Sequence, residues 1–312
     1  MNNKLLAEIF ETYRGRRFLF MEPGGNWGDK LIYLGAEKLA QQFDLKFERV
    51  EYVDTMNVKL TPDDVVYIHG GGGFNSYSSG NSYRLLADVL ARHKGVVIQG
   101  PCTVSDGDEV AAHFVDVFKQ VECSDFVFFA REKLTFEIMH KLLPESASLS
   151  IDDDTALHLR KEDLVQISGV EHGSYDLVAI REDTEVAPNQ SNLVKPGVKL
   201  DPAYFAQSFE HWVRLHAAAR TITTNRTHSS IAGAILEIPT TLFEGAYHKN
   251  ESIYNHSLTS KKVTWLNINT VPNAGPANRT LLEKAYTLLP GFLKDSWKVK
   301  MLLKRLQGVP IK

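Results

Sequence analysis

Short apolar runs alternate with amphipathic stretches through the first half of this 312-residue chain, and that alternation sets the fold class. RFLFMEP, KFERVEYV, DVVYIHG, GVVIQG, DFVFFARE and SLSID read as strands, and residues 29–43, 83–92 and 108–121 read as helices between them. Parallel strands need crossover helices, and both faces of such a sheet must be covered, so the pattern predicts a parallel α/β sheet. The pattern restarts at YDLVAIRED and continues through a helix near 203–219, then TITTNRTH, PTTLFEG and VTWLNI. The polar stretch 156–174 between the two series is expected to be a linker. A chain of this length exceeds one small core. The reading is α/β, with two Rossmann-like domains, 1–157 and 175–290, facing a cleft, followed by a basic amphipathic helix over 291–312. Ligands of such sheets sit outside the C-terminal ends of the strands.

Several function classes are excluded early. The net charge of −3 argues against a dedicated nucleic-acid binder, which would carry a basic excess. Cys102 and Cys123 are the only cysteines, so neither a disulfide framework nor a tetrathiolate metal site is expected, and a reducing cytoplasm is the expected compartment. No apolar run reaches the roughly 18 residues of a membrane span, and the N-terminal segment lacks the apolar core of a signal peptide. Asp152, Asp153 and Asp154 are consecutive, so their carboxylates diverge and make a poor chelate. Hydrogen-bonding or domain-junction roles are expected of them, and no metal.

The residues that can carry chemistry lie at strand ends. Arg226 and His228 fall at a strand-to-helix turn between TIT and SSIAGAILE, and Lys249 follows the next strand. A helix N-terminus favours a phosphate or carboxylate, and a guanidinium can hold either with two parallel hydrogen bonds. Imidazole is the side chain that exchanges protons near neutral pH. The alternative is that Arg226 pairs with a surface carboxylate and His228 caps the helix. Arg131 and Arg181 end two apolar runs and would either surround a small polyanion or form structural ion pairs. Two glycine-rich loops, residues 23–29 and 69–75, can offer backbone N–H groups to a ligand. Neither has the P-loop ending nor the dinucleotide spacing. His69 either faces the cleft or is a core histidine.

Taken together, GNWGDKLIYLGAEKL, HGGGGF, ARE, DDDTAL, TNRTHSSIAGAILEIPT and HKNESIYNHS resemble the polysaccharide pyruvyl transferase family over residues 20–257. The resemblance implies a GT-B-like fold and transfer of the pyruvyl group of phosphoenolpyruvate to a sugar, forming a ketal in a surface polysaccharide or its lipid-linked precursor and releasing phosphate. It implies functional roles for Arg131, Arg226, His228 and Lys249. On this reading His228 is the general acid/base, and Arg131, Arg226, Lys249 and Arg181 hold the donor. The acceptor falls to Asn26, Asp29, His69, Gly71, Gly72 and Asn75. Phosphoenolpyruvate is a co-substrate, and no cofactor is implied. The DDD segment departs from the family, which more often shows one Asp followed by Pro.

Two alternatives stand beside it. A sugar-nucleotide glycosyltransferase of the same fold would often carry Glu-x7-Glu, and Glu237 and Glu244 are one residue too close for that spacing. A noncatalytic glycan- or anion-binding protein would keep the cleft without turnover. The 291–312 helix, with Phe292, Trp297, Lys298, Lys300, Lys304 and Arg305, is expected either to cross back onto the first domain or to lie on an anionic membrane face.

Overall fold

A computed structural model describes residues 5–171, 173–186, 190 and 195–268 of the chain. Two compact units are present. One comprises the chain up to Leu159 together with Glu251–Thr259; the other comprises Arg160–Asn250 and the described residues from Ser260 onward. The boundary falls inside the stretch expected to be a linker, which instead holds a 3-10 turn, Thr155–His158, and a helix, Lys161–Ser168, that belongs to the second unit. The expected C-terminal helix, 291–312, lies outside the described residues.

In the first unit the strands are β1 (Phe18–Met21), β2 (Phe47–Val50), β3 (Val65–Ile68), β4 (Gly71–Phe74), β5 (Val96–Val104), β6 (Asp125–Ala130) and β7 (Ala147–Ile151). Its helices are α1 (Leu6–Thr12), α2 (Trp27–Gln42), α3 (Asn81–Arg92), α4 (Asp108–Val117) and α5 (Lys133–Leu142). The sheet order is β2-β1-β3-β5-β6-β7, with β4 pairing β5, and every pairing is parallel. Successive strand side chains point to opposite faces, so one strand feeds two cores. Phe18, Phe20, Val65, Tyr67, Val96 and Ile98 pack with Phe10 and Leu39 of α1 and α2 on one face. Leu19, Met21, Val66, Ile68 and Val97 pack with Leu86, Phe114 and Met139 of α3, α4 and α5 on the other. The near-continuous apolar runs of the sequence are therefore strands covered twice. The second glycine run is not a simple loop, because Gly71–Phe74 pairs with β5 as a strand.

The second unit holds α6 (Lys161–Ser168), β8 (Tyr175–Ala179), β9 (Val198–Leu200), α7 (Pro202–Phe205), α8 (Phe209–Ala217), β10 (Ala219–Thr224), α9 (Thr227–Ile235), β11 (Thr240–Phe243) and β12 (Val263–Leu266). The sheet order is β12-β11-β10-β8-β9, again parallel throughout. The single helix expected near 203–219 is two. Ala206 turns extended with ψ 141°, and the Ser208 hydroxyl then caps a new helix by accepting the His211 N–H at 3.1 Å. A further short helix, α10, spans Lys249–Ile253. Among the described residues no helix is long and apolar enough to cross a membrane.

The DDDTAL segment docks on α2 at a glycine. A Cβ on Gly35 would lie 2.0 Å from the Thr155 carbonyl oxygen, and the Thr155 hydroxyl donates to the Ile32 carbonyl at 2.9 Å. Helix propensity alone predicts that Gly35→Ala gains about 1 kcal/mol. A backbone-to-side-chain clash of this kind costs about 1–3 kcal/mol or more, so a net loss is expected. Urea unfolding should show a lower midpoint; an unchanged or raised midpoint would remove the close approach as the reason for glycine here.

Candidate active site

In each sheet the chain leaves one strand toward one neighbour and returns on the other side, which opens a crevice at the C-terminal strand ends. In the second unit this switch lies between β8 and β10. Arg181 follows β8, and Asn225 and Arg226 follow β10. Lys249 opens α10, after β11.

These basic residues form one chain of alternating charge. Asp201 accepts from Arg226 Nε at 2.6 Å and from Nη2 at 2.5 Å. It also accepts the Glu182 N–H at 2.9 Å and the Ala203 N–H at 3.1 Å. Arg226 Nη2 donates in addition to Asp183 at 2.9 Å. Asp183 accepts both Nε and Nη2 of Arg181, at 2.8 and 2.9 Å. Arg181 Nη1 pairs with Glu185, which also accepts from Lys249 Nζ at 2.6 Å. Arg226 and Lys249 are buried, so the ion pairs of Arg226 are interior and not the surface pair weighed as the alternative. Burial opposes ionisation of Asp183, but the Arg181 hydrogen bonds and the charges of Arg181 and Arg226 pull it down to about 2. Burial likewise opposes ionisation of Glu185, and Lys249 and Arg181 overcome it, holding its carboxyl below the usual range.

The three carboxylates escaped sequence reasoning. Asp183 and Glu185 stood in plain view in the acidic run REDTE after β8, whereas Asp201 arrives through β9, a three-residue strand that leaves little periodic signal.

His228 stands in the first turn of α9, partly exposed, while Thr227, Ser229 and Ser230 around it are buried. That turn is fixed from below. The Thr227 hydroxyl donates to Asn250 Oδ1 at 2.6 Å, and Asn250 Nδ2 donates to the carbonyls of Asn225 at 2.8 Å and Phe243 at 2.9 Å. Asn225 Oδ1 in turn accepts the Arg181 N–H at 2.8 Å. Asn225 and Asn250 thus tie the ends of β10 and β11 to the starts of α9 and α10. The rings of Tyr204 and Tyr247 lie 6.0 and 5.0 Å from the Arg226 and Lys249 cations. Three cations, matched by three carboxylates, thus gather at the C-terminal ends of β8, β10 and β11, next to the helix turn that carries His228.

The first unit has its own switch, between β1 and β3, and both glycine loops meet there. Gly25 and Gly71 take φ of 133° and 136°, values that favour glycine. A Cβ on Gly25 would lie 2.3 Å from Asp29 Oδ2, and one on Gly71 3.6 Å from Asp29 Oδ1. Asn26 and Asp29 form a capping box at the start of α2, with Gly28 N–H donating to Asn26 and Asn26 N–H to Asp29, both at 2.8 Å. Beside them Glu22, Lys30, Tyr33, Glu51 and Tyr52 line a cavity of about 220 Å³.

Three expected site residues are buried. His69 is a core histidine, packed against Phe20, Tyr33 and Tyr67, and burial pushes its pKa down to about 3, so it is neutral. Asn75 is buried and folds back on its own loop, donating to the Gly72 carbonyl and accepting the Tyr77 N–H at 2.8 Å. Arg131 is not at an open strand edge. At 1% exposure it pairs inside the first unit with Asp154 at 2.6 Å and donates to the Thr103 hydroxyl at 2.9 Å. The strand end it follows is roofed by the DDD segment. Asp152 accepts the Leu6 N–H at 2.7 Å and Asp153 the Ser257 hydroxyl at 2.5 Å, so that segment serves as a hydrogen-bonding seam. Among the described residues no group of three or more His, Cys, Asp or Glu side chains is arranged to hold a metal.

The family model described as polysaccharide pyruvyl transferase matches residues 10–245. Among solved structures, a functionally uncharacterized protein from Klebsiella pneumoniae subsp. pneumoniae NTUH-K2044 superposes with a TM-score of 0.63 at 18% identity, over 84% of this chain and 96% of that one. At that identity the likeness concerns the fold. The comparison with curated proteins yields no match.

Proposed function

The chain belongs to the polysaccharide pyruvyl transferase family, and on that premise we propose that it moves the pyruvyl group of phosphoenolpyruvate onto a sugar of a surface polysaccharide or its precursor. The observation that carries the donor assignment is the convergence of Arg181, Arg226 and Lys249 on one switch-point crevice with His228 in the adjoining helix turn. Phosphoenolpyruvate places a phosphate and a carboxylate around one reactive carbon, which matches cations spread along a short ladder.

In the proposed reaction a proton is delivered to the methylene carbon and a sugar hydroxyl adds at C2, giving up its own proton. The C2–O bond to phosphate then breaks, and inorganic phosphate departs with the electron pair. A second sugar hydroxyl adds at the resulting oxocarbenium-like centre, its proton passing to the departing phosphate, and closes the cyclic ketal. His228 is assigned the proton transfer at carbon, as general acid/base. Arg181, Arg226 and Lys249 are assigned the donor's anionic groups and the charge of the departing phosphate. The first unit is assigned the acceptor, through Asn26, Asp29 and the backbone of Gly71 and Gly72. His69 and Asn75 are given no part in it, since both are buried.

Nucleotide-linked and lipid-linked sugars, incubated with enzyme and phosphoenolpyruvate and followed by mass spectrometry, test the reading. One acceptor should gain a single pyruvyl ketal. Transfer of a sugar from a nucleotide, with phosphoenolpyruvate untouched, would assign the chain to glycosyl transfer instead.

A further inference from the structure

The donor crevice holds its cations already paired, and the three carboxylates that pair them are not equivalent. Asp201 is an anchor: its side chain is 1% exposed, and its two oxygens accept four hydrogen bonds, two from Arg226 and two from the backbone N–H groups of Glu182 and Ala203. Asp183 also accepts four, two from Arg181, one from Arg226 and one from the Glu185 N–H at 3.1 Å, but its side chain is more open, 21% exposed, and it bridges two guanidiniums where Asp201 holds one. Glu185 spans Arg181 and Lys249 in the same way. Both stand on the segment that leaves β8.

We propose that Asp183 and Glu185 are resident counter-anions of the donor site, which hold Arg181, Arg226 and Lys249 in position while the site is empty and yield them to the donor's phosphate and carboxylate. The physical need is plain. Buried cations left without partners would strongly destabilise the unit, so a buried anion site must carry its own anions until the ligand arrives. Exchange of a protein carboxylate for a ligand anion on the same guanidinium keeps each hydrogen-bonding fork filled. The carboxylates compete with the ligand, and they set its charge requirement. A ligand with both a phosphate and a carboxylate can replace both of them, whereas inorganic phosphate or pyruvate can replace one. Asp201 stays in place and keeps Arg226 oriented, as a positioning residue.

This rests on the donor reading above, and calorimetric titration of the full chain separates the two. Wild-type protein should bind phosphoenolpyruvate more tightly than inorganic phosphate or pyruvate. Asp183→Asn and Glu185→Gln should each bind it more tightly still, by about tenfold, since a competing ion pair is removed. Asp201→Asn should bind it on the order of tenfold more weakly, because the Arg226 fork loses its anchor. If wild-type binds phosphoenolpyruvate but both Asp183→Asn and Glu185→Gln bind it as poorly as Asp201→Asn, the counter-anion role fails and the donor reading stands. If wild-type binds none, both fall. Should the variants fold poorly, carboxyl ¹³C spectra of wild-type protein decide the matter. Donor addition should move the Asp183 and Glu185 resonances and leave that of Asp201, and no movement of the first two would overturn the proposal.

Discussion

His228→Ala is expected to lower turnover by roughly a hundredfold or more, the usual scale of general acid/base catalysis, while donor binding survives. The separation follows from the geometry. His228 lies in the first turn of α9, partly exposed, and the Arg226, Arg181 and Lys249 pairs run through Asp201, Asp183 and Glu185. Removing the ring leaves those carboxylate pairs standing, so donor binding should persist. Steady-state kinetics beside calorimetric donor titration read both halves. A mutant with wild-type turnover would return His228 to the role of a helix-start residue.

Arg131→Ala should act on stability first. The guanidinium is enclosed with Asp154, and deleting one partner of a buried pair leaves the other charge unpaired, at a cost of about 3–5 kcal/mol. For a unit of this size that corresponds to a fall in Tm of roughly 10 °C. Replacing both partners, as Arg131→Met with Asp154→Leu, should recover part of the loss, since well-packed apolar side chains often match a buried pair. Scanning calorimetry of the two single variants and the double tests this. If Arg131→Ala kept the wild-type Tm and lost turnover alone, Arg131 would belong with the reacting groups.

Arg131 also marks where sequence reasoning reached its limit. The end of an apolar run does place a residue at a C-terminal strand edge, and Arg181 stands at one after β8. The same rule cannot tell an open edge from one roofed by a distant segment, and the DDD segment roofs this one. His69 failed similarly, since its strand position was legible but its enclosure by Phe20, Tyr33 and Tyr67 depends on helix and strand packing. Strands covered on both faces announced themselves as unbroken apolar runs, which is why the parallel sheets were legible. β9 did not, because three residues carry almost no periodicity, and Asp201 was hidden with it. The break between α7 and α8 turned on a serine cap inside an otherwise helical stretch, a local signal that the surrounding apolar pattern outweighed.

Phosphate release from phosphoenolpyruvate in deuterium oxide, with an acceptor identified by mass spectrometry, examines the donor and the proton transfer together. Phosphate should appear only when the acceptor is present, and the methyl group of the ketal should carry one deuterium delivered from solvent. His228→Ala should slow both in parallel. Acceptor glycosylation at the expense of a sugar nucleotide, with no phosphate drawn from phosphoenolpyruvate, would contradict pyruvyl transfer by this chain.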